Sequence, residues 1–208
     1  MERGERHHRR PIRMKGYDYT GDGAYFITIC IHGRIHVFGA IVNGEMRFNE
    51  YGREVANCWS WLAERYPYVH LDQWVVMPDH MHAIIVITDD RGGGAGSNVT
   101  GSYGMRRGDS RAASTTSTAL TGSVDQPQVR VDGGGIVRTN RKSLGRLIGA
   151  FKTVSTRRVN DIRSTPGAKL WQRNYYEHII RDGRSLRCIR EYIGSNPSRQ
   201  EKTAGTQR

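Results

Sequence analysis

The 208-residue chain is long enough for one well-buried domain with loose segments attached, and too short for two ordinary domains with separate cores. Its 32 Lys and Arg outnumber 20 Asp and Glu, giving a net charge of +12, a field that attracts polyanions and makes nucleic acid the first partner to consider. No apolar run approaches the roughly 20 residues of a spanning helix, and the basic N-terminus is not followed by an apolar core. Cys30, Cys58 and Cys188 lack both the paired spacing of a zinc site and the density of a disulfide scaffold. These features predict an unexported protein of the reducing cytoplasm, with no membrane partner.

Residues 1–15, with Arg3, Arg6, Arg9, Arg10, Arg13 and Lys15, have little to bury, which predicts a basic flexible tail that meets a phosphate backbone or stays solvated. A single catalytic domain is expected over 16–199. Its β-branched and aromatic runs predict strands at 24–31 and 37–42, and Asn43-Gly44 signals a hairpin into a third at 45–48. Val55, Trp59 and Leu62 recur at helical spacing and predict a helix from Glu50 to Tyr66, stopped by Pro67. Strands follow at 69–76 and 81–88, separated by Pro78-Asp79. Residues 90–135, rich in Gly, Ser and Thr, offer little apolar surface and predict a disordered insertion; Arg106, Arg107 and Arg111 leave a DNA-contacting arm as the alternative. Leu144, Leu147, Ile148, Phe151 and Val154 share one face of a helix whose remainder is basic, with Arg146 and Lys152 as candidate phosphate contacts. A last helix is predicted over 183–196, capped by Asp182, striped by Leu186, Ile189 and Ile193 and ended by Pro197, with a flexible tail at 200–208.

Two pairs carry candidate chemistry. His80 and His82 are two apart on a strand, so their rings stand side by side on one face, where they can share a metal ion. An H-x-H pair alone is also compatible with ordinary satisfied histidines. Tyr192 and Asn196 are four apart on a helix and share a flank, so one side chain can attack while the other ligates. A phenol titrates near 10 and needs a base or a cation on the phosphate it attacks. The plainer alternative has Tyr192 packing beside the apolar stripe and Asn196 capping the helix.

Three segments in order, Trp74-Val75-Val76-Met77-Pro78-Asp79-His80-Met81-His82, then Trp171-Gln172-Arg173-Asn174-Tyr175-Tyr176-Glu177-His178-Ile179-Ile180-Arg181, then Tyr192-Ile193-Gly194-Ser195-Asn196-Pro197, resemble the REP-associated tyrosine transposases. These are single-tyrosine relatives of insertion-sequence transposases within the histidine-hydrophobic-histidine (HUH) nuclease superfamily. The resemblance runs from about Arg10 to Arg199, including the Lys15-Gly16-Tyr17-Asp18-Tyr19 and Gly23-Ala24-Tyr25-Phe26 opening, and is interrupted by the insertion. It implies an α+β fold, a ferredoxin-like antiparallel sheet flanked by helices, with the histidine pair on a central strand and the nucleophile on a helix. It further implies that His80, His82 and Asn196 hold a divalent ion, Mg²⁺ or Mn²⁺, and that Tyr192 is the nucleophile in cleaving and rejoining single-stranded or hairpin DNA through a 5′-phosphotyrosine.

Two departures stand out: the insertion is long for its place, and Asp79 stands where many relatives carry Asn or Glu. Tyr175 and Tyr176 are rival nucleophiles, but only Tyr192 has the polar partner one helical turn on; those two read better as packing or base-stacking aromatics. Arg10, Arg13, Lys15, Arg146, Lys152, Trp171, Arg173, Tyr175, Tyr176, His178 and Arg181 are the expected DNA-binding residues. Relatives include dimers that share active sites, so a homodimer stays open. The rival functions are a non-catalytic hairpin-DNA binder and a metal-dependent hydrolase.

Overall fold

A computed structural model describes residues 13, 14, 16–88 and 141–205. The expected insertion, Arg10, Lys15 and most of the basic tail lie outside the described residues. The elements are β1 (Gly23–Cys30), β2 (Gly39–Val42), β3 (Glu45–Phe48), α1 (Glu50–Arg65), β4 (Val69–Val76), β5 (His80–Ile87), α2 (Leu144–Ile162), β6 (Tyr176–Ile180) and α3 (Gly183–Gly205). Among the described residues no helix is long and apolar enough to cross a membrane.

The main sheet has the order β4-β5-β1-β6, and each neighbouring pair is antiparallel. Counting its strands in chain order, this is 2-3-1-4, the arrangement of a ferredoxin-like fold, as the resemblance implied. Alternation along the strands sorts the side chains. Tyr25, Ile27 and Ile29 of β1 and Met81, Ala83, Ile85 and Ile87 of β5 are fully buried in the core with Val55, Trp59 and Leu62 of α1 and Leu147, Ile148 and Phe151 of α2. Trp59 meets Phe151 edge to face at 5.0 Å between ring centroids. The other face of the sheet carries a smaller apolar cluster of Ile84, Ile180 and Ile193, on which α3 rests.

Local signals explain the element ends. Asn49 caps α1 by accepting from Gly52 N–H at 3.0 Å while its own amide donates to the Val37 carbonyl at 2.7 Å. In the β2–β3 hairpin, Asn43 (φ 55°) and Gly44 (φ 73°) both take positive φ, as a type I′ turn requires. Asp182 caps α3, accepting from Ser185 N–H at 2.8 Å.

The structure departs from the sequence reading at several points. Pro197 does not end the last helix, which continues to Gly205. Proline removes one helical donor at a cost of about 3 kcal/mol, and the C-terminal turns are supported from outside, Ser198 Oγ donating to the Gly44 carbonyl of the hairpin at 3.3 Å. The strand β6 was not anticipated, because its five residues follow no clean apolar alternation. Trp171 is a core residue and not an exposed stacking ring: it is 7% exposed, packs against Phe38 and Phe151, and its indole N–H donates to Ser155 Oγ at 2.9 Å.

Lys152 also turns inward. Its ammonium donates to the carbonyls of Gln172 (2.9 Å), Arg173 (3.3 Å) and Asn174 (3.0 Å), which commits its three donors to the loop before β6 and not to an outside phosphate. Burial pushes this ammonium down to about 8 from the ordinary 10.5. Between those values the unfolded chain holds the proton more tightly than the folded one, so stability rises with pH across that window. Lys152→Met is expected to flatten that rise, which denaturant titrations at the two ends of the window will measure. Identical pH slopes in the two proteins would contradict a desolvated ammonium.

Candidate functional site

The site is built by the pairing of β5 with β1. Residues of β5 that do not enter the helical core, His80, His82 and Ile84, face α3, and the ladder sets His82 opposite Thr28 and His80 opposite Cys30. The turn that delivers His80 is fixed through its backbone: the Asp79 carbonyl accepts from Ile31 N–H at 2.9 Å, and the Pro78 carbonyl accepts from Val37 (2.9 Å) and Phe38 (3.1 Å). The strand therefore starts at His80, one residue earlier than expected, and both rings are on ordered backbone.

Each imidazole is held by its Nδ1. His80 Nδ1 lies 2.5 Å from Asp79 Oδ1, and because a carboxylate only accepts, the Nδ1–H donates and Nε2 carries the lone pair. Asp79 is itself held by Arg34, whose Nε is 3.0 Å from Oδ2 and whose other guanidinium nitrogen reaches Cys30 Sγ at 2.9 Å. Arg34 sits at φ 56°, a left-handed conformation that a non-glycine residue adopts at some cost. His82 Nδ1 is 2.8 Å from Thr28 Oγ1, a hydroxyl that can donate or accept and so serves either tautomer. Phe26 stacks under His82, with centroids 5.6 Å apart and planes at 24°.

The two Nε2 atoms then face each other at 3.1 Å, and Tyr192 Oη comes within 3.3 Å of His82 Nε2. His80 is 7% and His82 5% exposed. Burial lowers both pKa values; that of His82, lowered further by the neighbouring His80, falls to about 3, so both rings are neutral at pH 7. Two neutral rings and a phenol share the protons of one small space, where at most one Nε2 proton can bridge the nitrogens. A cation would satisfy all three groups. Two nitrogens about 2.1 Å from one ion and 3.1 Å apart subtend about 95°, the angle between adjacent ligands of an octahedral ion. Among the described residues, no group of three or more His, Cys, Asp or Glu is placed to hold a metal ion, so any ion here would rely on two imidazoles completed by other donors.

Tyr192 reaches the pair from the same chain, its ring set edgewise to His82 (5.2 Å) and Phe26 (6.0 Å) and 37% exposed. Asn196 stands one helical turn beyond on the same flank, 8% exposed. The rival tyrosines are elsewhere in role. Tyr175 accepts a hydrogen bond from Arg13 at 3.3 Å, lies under Arg13 and Lys152, and has its pKa raised by burial and the neighbouring Glu177. Tyr176 pairs with Thr28 across the ladder, is 52% exposed and meets Phe26 edgewise at 6.2 Å, so it borders the site without reaching the histidine nitrogens by any hydrogen bond. His178, opposite Phe26, is exposed on the same face. Arg181 and His178 line a cavity of about 530 Å³ beside the start of α3. Arg173 is exposed on the loop before β6, and Arg146 is exposed on α2, across the sheet from the histidines.

Sequence reasoning missed the residues that orient the pair. Thr28 is the polar residue that this apolar run turns toward the histidine face, a signal available only once the β1–β5 register is known. Arg34 left no local signature. Asp79 was visible as a departure from the family pattern, and its place behind His80 gives that departure a physical task.

No family model matches the sequence. An uncharacterized protein of Haemophilus influenzae is 36% identical over 191 residues, 92% of this chain and 89% of that one. The two chains belong to one family. In structure the family member described here is similar to a REP-associated tyrosine transposase solved bound to a REP hairpin, over 90% of this chain and 73% of that one, with a TM-score of 0.51 and 15% identity. At that identity the likeness is one of fold, and the fold is the one the sequence motifs implied.

Within this family member the depressed pKa of His82 has a direct consequence. An unfolded histidine titrates near 6.5, while the folded ring resists protonation down to about 3, so stability is lost as the pH falls through that interval. With chelator present, ¹⁵N spectra of the imidazoles are expected to show His82 neutral at pH 5. A His82 ring that charges near pH 6.5 would mean that the pocket is open to water.

Proposed function

We propose that the protein is a single-tyrosine DNA strand-transferase, a transposase-type enzyme that cuts and rejoins single-stranded or hairpin DNA. The observation that carries this reading is the meeting of His80 Nε2, His82 Nε2 and Tyr192 Oη within 3.1–3.3 Å contacts in one chain. A divalent ion, Mg²⁺ or Mn²⁺, would be held by His80 and His82, with Asn196 as third protein ligand and substrate oxygens and water completing the set. Such an ion would draw charge from a scissile phosphate and keep the phenol reactive near neutral pH. His80, through Asp79, and His82, in the tautomer that donates Nδ1–H to Thr28, would present Nε2 lone pairs to it.

Tyr192 Oη attacks phosphorus, a new P–O bond forms to the tyrosine, and the bond from phosphorus to the 3′-oxygen breaks. The phenol proton ends on that 3′-hydroxyl, and the 5′-phosphate stays on the enzyme. Because the phosphodiester is exchanged and not hydrolysed, a second 3′-hydroxyl can reverse the step without ATP. Tyr176 and His178 lie on the histidine face at the sheet edge, where an unpaired strand could stack and run past Arg181, and the chain's +12 charge supplies long-range attraction. A rigid duplex would hold its phosphates away from a phenol that lies close over the sheet.

Incubation with labelled hairpin DNA bearing a single-stranded flank and Mn²⁺ is expected to give a denaturant-resistant adduct, absent in Tyr192→Phe and in His80→Ala and retained in Tyr176→Phe. Cleavage without an adduct would indicate a hydrolase, and hairpin binding indifferent to all three substitutions, with no adduct, a recognition protein only. In the same assay Asp79→Ala, which removes the acceptor behind His80, is expected to raise the Mn²⁺ concentration needed by about 10- to 100-fold, the usual cost of losing a partner behind a ligating histidine.

A further inference from the structure

The helix that carries Tyr192 rests on an apolar stripe. Its Ile193 is buried against Ile84 and Ile180, and the partly buried Leu186 and Ile189 of the helix and Ala24, Phe26, Val75 and Val86 of the sheet pack around that contact. Such a stripe resists lifting but is non-directional, so it does little to stop the helix from rolling about its own axis. Successive helical residues are 100° apart, which puts Arg190 and Tyr192 about 200° apart, on opposite flanks of that stripe. A roll of about 20° would move an atom at side-chain radius by about 2 Å. That is enough to break a 3.3 Å contact between phenol and imidazole.

A directed bond meets the flank away from the phenol. Arg190 Nε is 2.9 Å from Asp72 Oδ1, and its terminal nitrogen is 2.5 Å from Asp72 Oδ2, a two-pronged pair whose carboxylate is 13% exposed. Asp72 sits in a bulge of β4. Between the pairs Leu71↔Ile85 and Trp74↔Ala83 two residues, Asp72 and Gln73, oppose the single Ile84. The bulge returns Trp74 to the helical core face, and it leaves Gln73 N–H free to donate to Asp72 Oδ1 at 2.6 Å, which aims the carboxylate before Arg190 arrives. The strand irregularity, the aimed carboxylate and the fork on α3 form one device.

We propose that Asp72 and Arg190 are positioning residues for strand transfer: they fix the roll of α3 and thereby hold the Tyr192 hydroxyl at the histidine pair. This rests on the reading of Tyr192 as the nucleophile. An ordinary surface ion pair would contribute little and leave the reaction unchanged, whereas misplacing a reacting atom by about 1 Å can cost about 100-fold in rate.

The test uses the full chain with labelled hairpin DNA and Mn²⁺ under single-turnover conditions, comparing wild type, Asp72→Ala, Arg190→Ala and the swap Asp72→Arg/Arg190→Asp. Adduct formation at saturating DNA is expected to slow by about 30-fold or more in each single variant, with half-saturating DNA unchanged and much of the rate regained in the swap. Single variants that keep the wild-type rate, or that lose rate only in step with DNA affinity or folded fraction, overturn the proposal. If wild type itself forms no adduct, the reading of Tyr192 fails, and hydrogen exchange decides the pin alone. Protection of the α3 amides around Arg190 to Asn196 should then fall in Arg190→Ala and return in the swap; protection unchanged by Arg190→Ala overturns it.

Discussion

The antiparallel register between β1 and β5 is the constraint on which the site depends. In a ladder of period two, one choice of register places Tyr25, Ile27 and Ile29 beside Met81, Ala83 and Ile85 under the helices and, on the reverse face, Thr28 beside His82 and Cys30 beside His80. A slip of one residue would turn every one of these side chains over, burying imidazoles among Trp59 and Phe151 and exposing the isoleucines. The core therefore supports the site: apolar burial on one face excludes slips that would turn the polar groups of the other face away from it, and the observed register brings those groups to their partners.

Those partners are arranged with a consistent polarity. Both Nδ1 atoms are taken up inside the protein, one by a carboxylate and one by a hydroxyl, and both Nε2 atoms are left pointing at one another and at the phenol. Burying neutral histidines costs less than burying charged ones, and the low pKa of His82 records that preference. The Asp79 charge is balanced by Arg34 on its far side, so the cluster presents lone pairs without a net negative charge nearby. In a protein with a net charge of +12, a divalent cation proposed here would be held by neutral imidazoles and not by a carboxylate cluster.

Much of this was legible in the chain itself, and what was not has identifiable causes. The strands of the sheet centre, α1, α2 and the hairpin at Asn43-Gly44 carry strong periodic or turn signals, and the His80/His82 and Tyr192/Asn196 spacings already put each pair on a common face. Lys152 and Trp171 were misjudged because a basic or aromatic residue in a basic protein looks like a nucleic-acid contact until its hydrogen-bond partners are known; here those are three loop carbonyls and Ser155. Pro197 was misjudged because a local stop signal was outweighed by support from a hairpin about 150 residues earlier, Ser198 reaching Gly44. Thr28, Arg34 and Asp72 act through neighbours distant in sequence, and no spacing rule reports such contacts.

Under the proposed function, the seat of α3 reflects what the site would have to admit. A phosphodiester would reach the phenol and the imidazoles past the flank of α3 that bears Tyr192, and that ring remains 37% exposed while Ile193 beside it is fully buried. Widening the apolar contact to hold the helix more firmly would cover that flank and close the site. Directed bonds do not carry that conflict: the Asp182 cap at one end, the Asp72 fork on the far flank and the Ser198 contact with the hairpin each restrain α3 away from the Tyr192 flank. The extension through Pro197 belongs to the same logic, because without those last turns the helix would lose the only one of the three restraints that lies beyond Asn196.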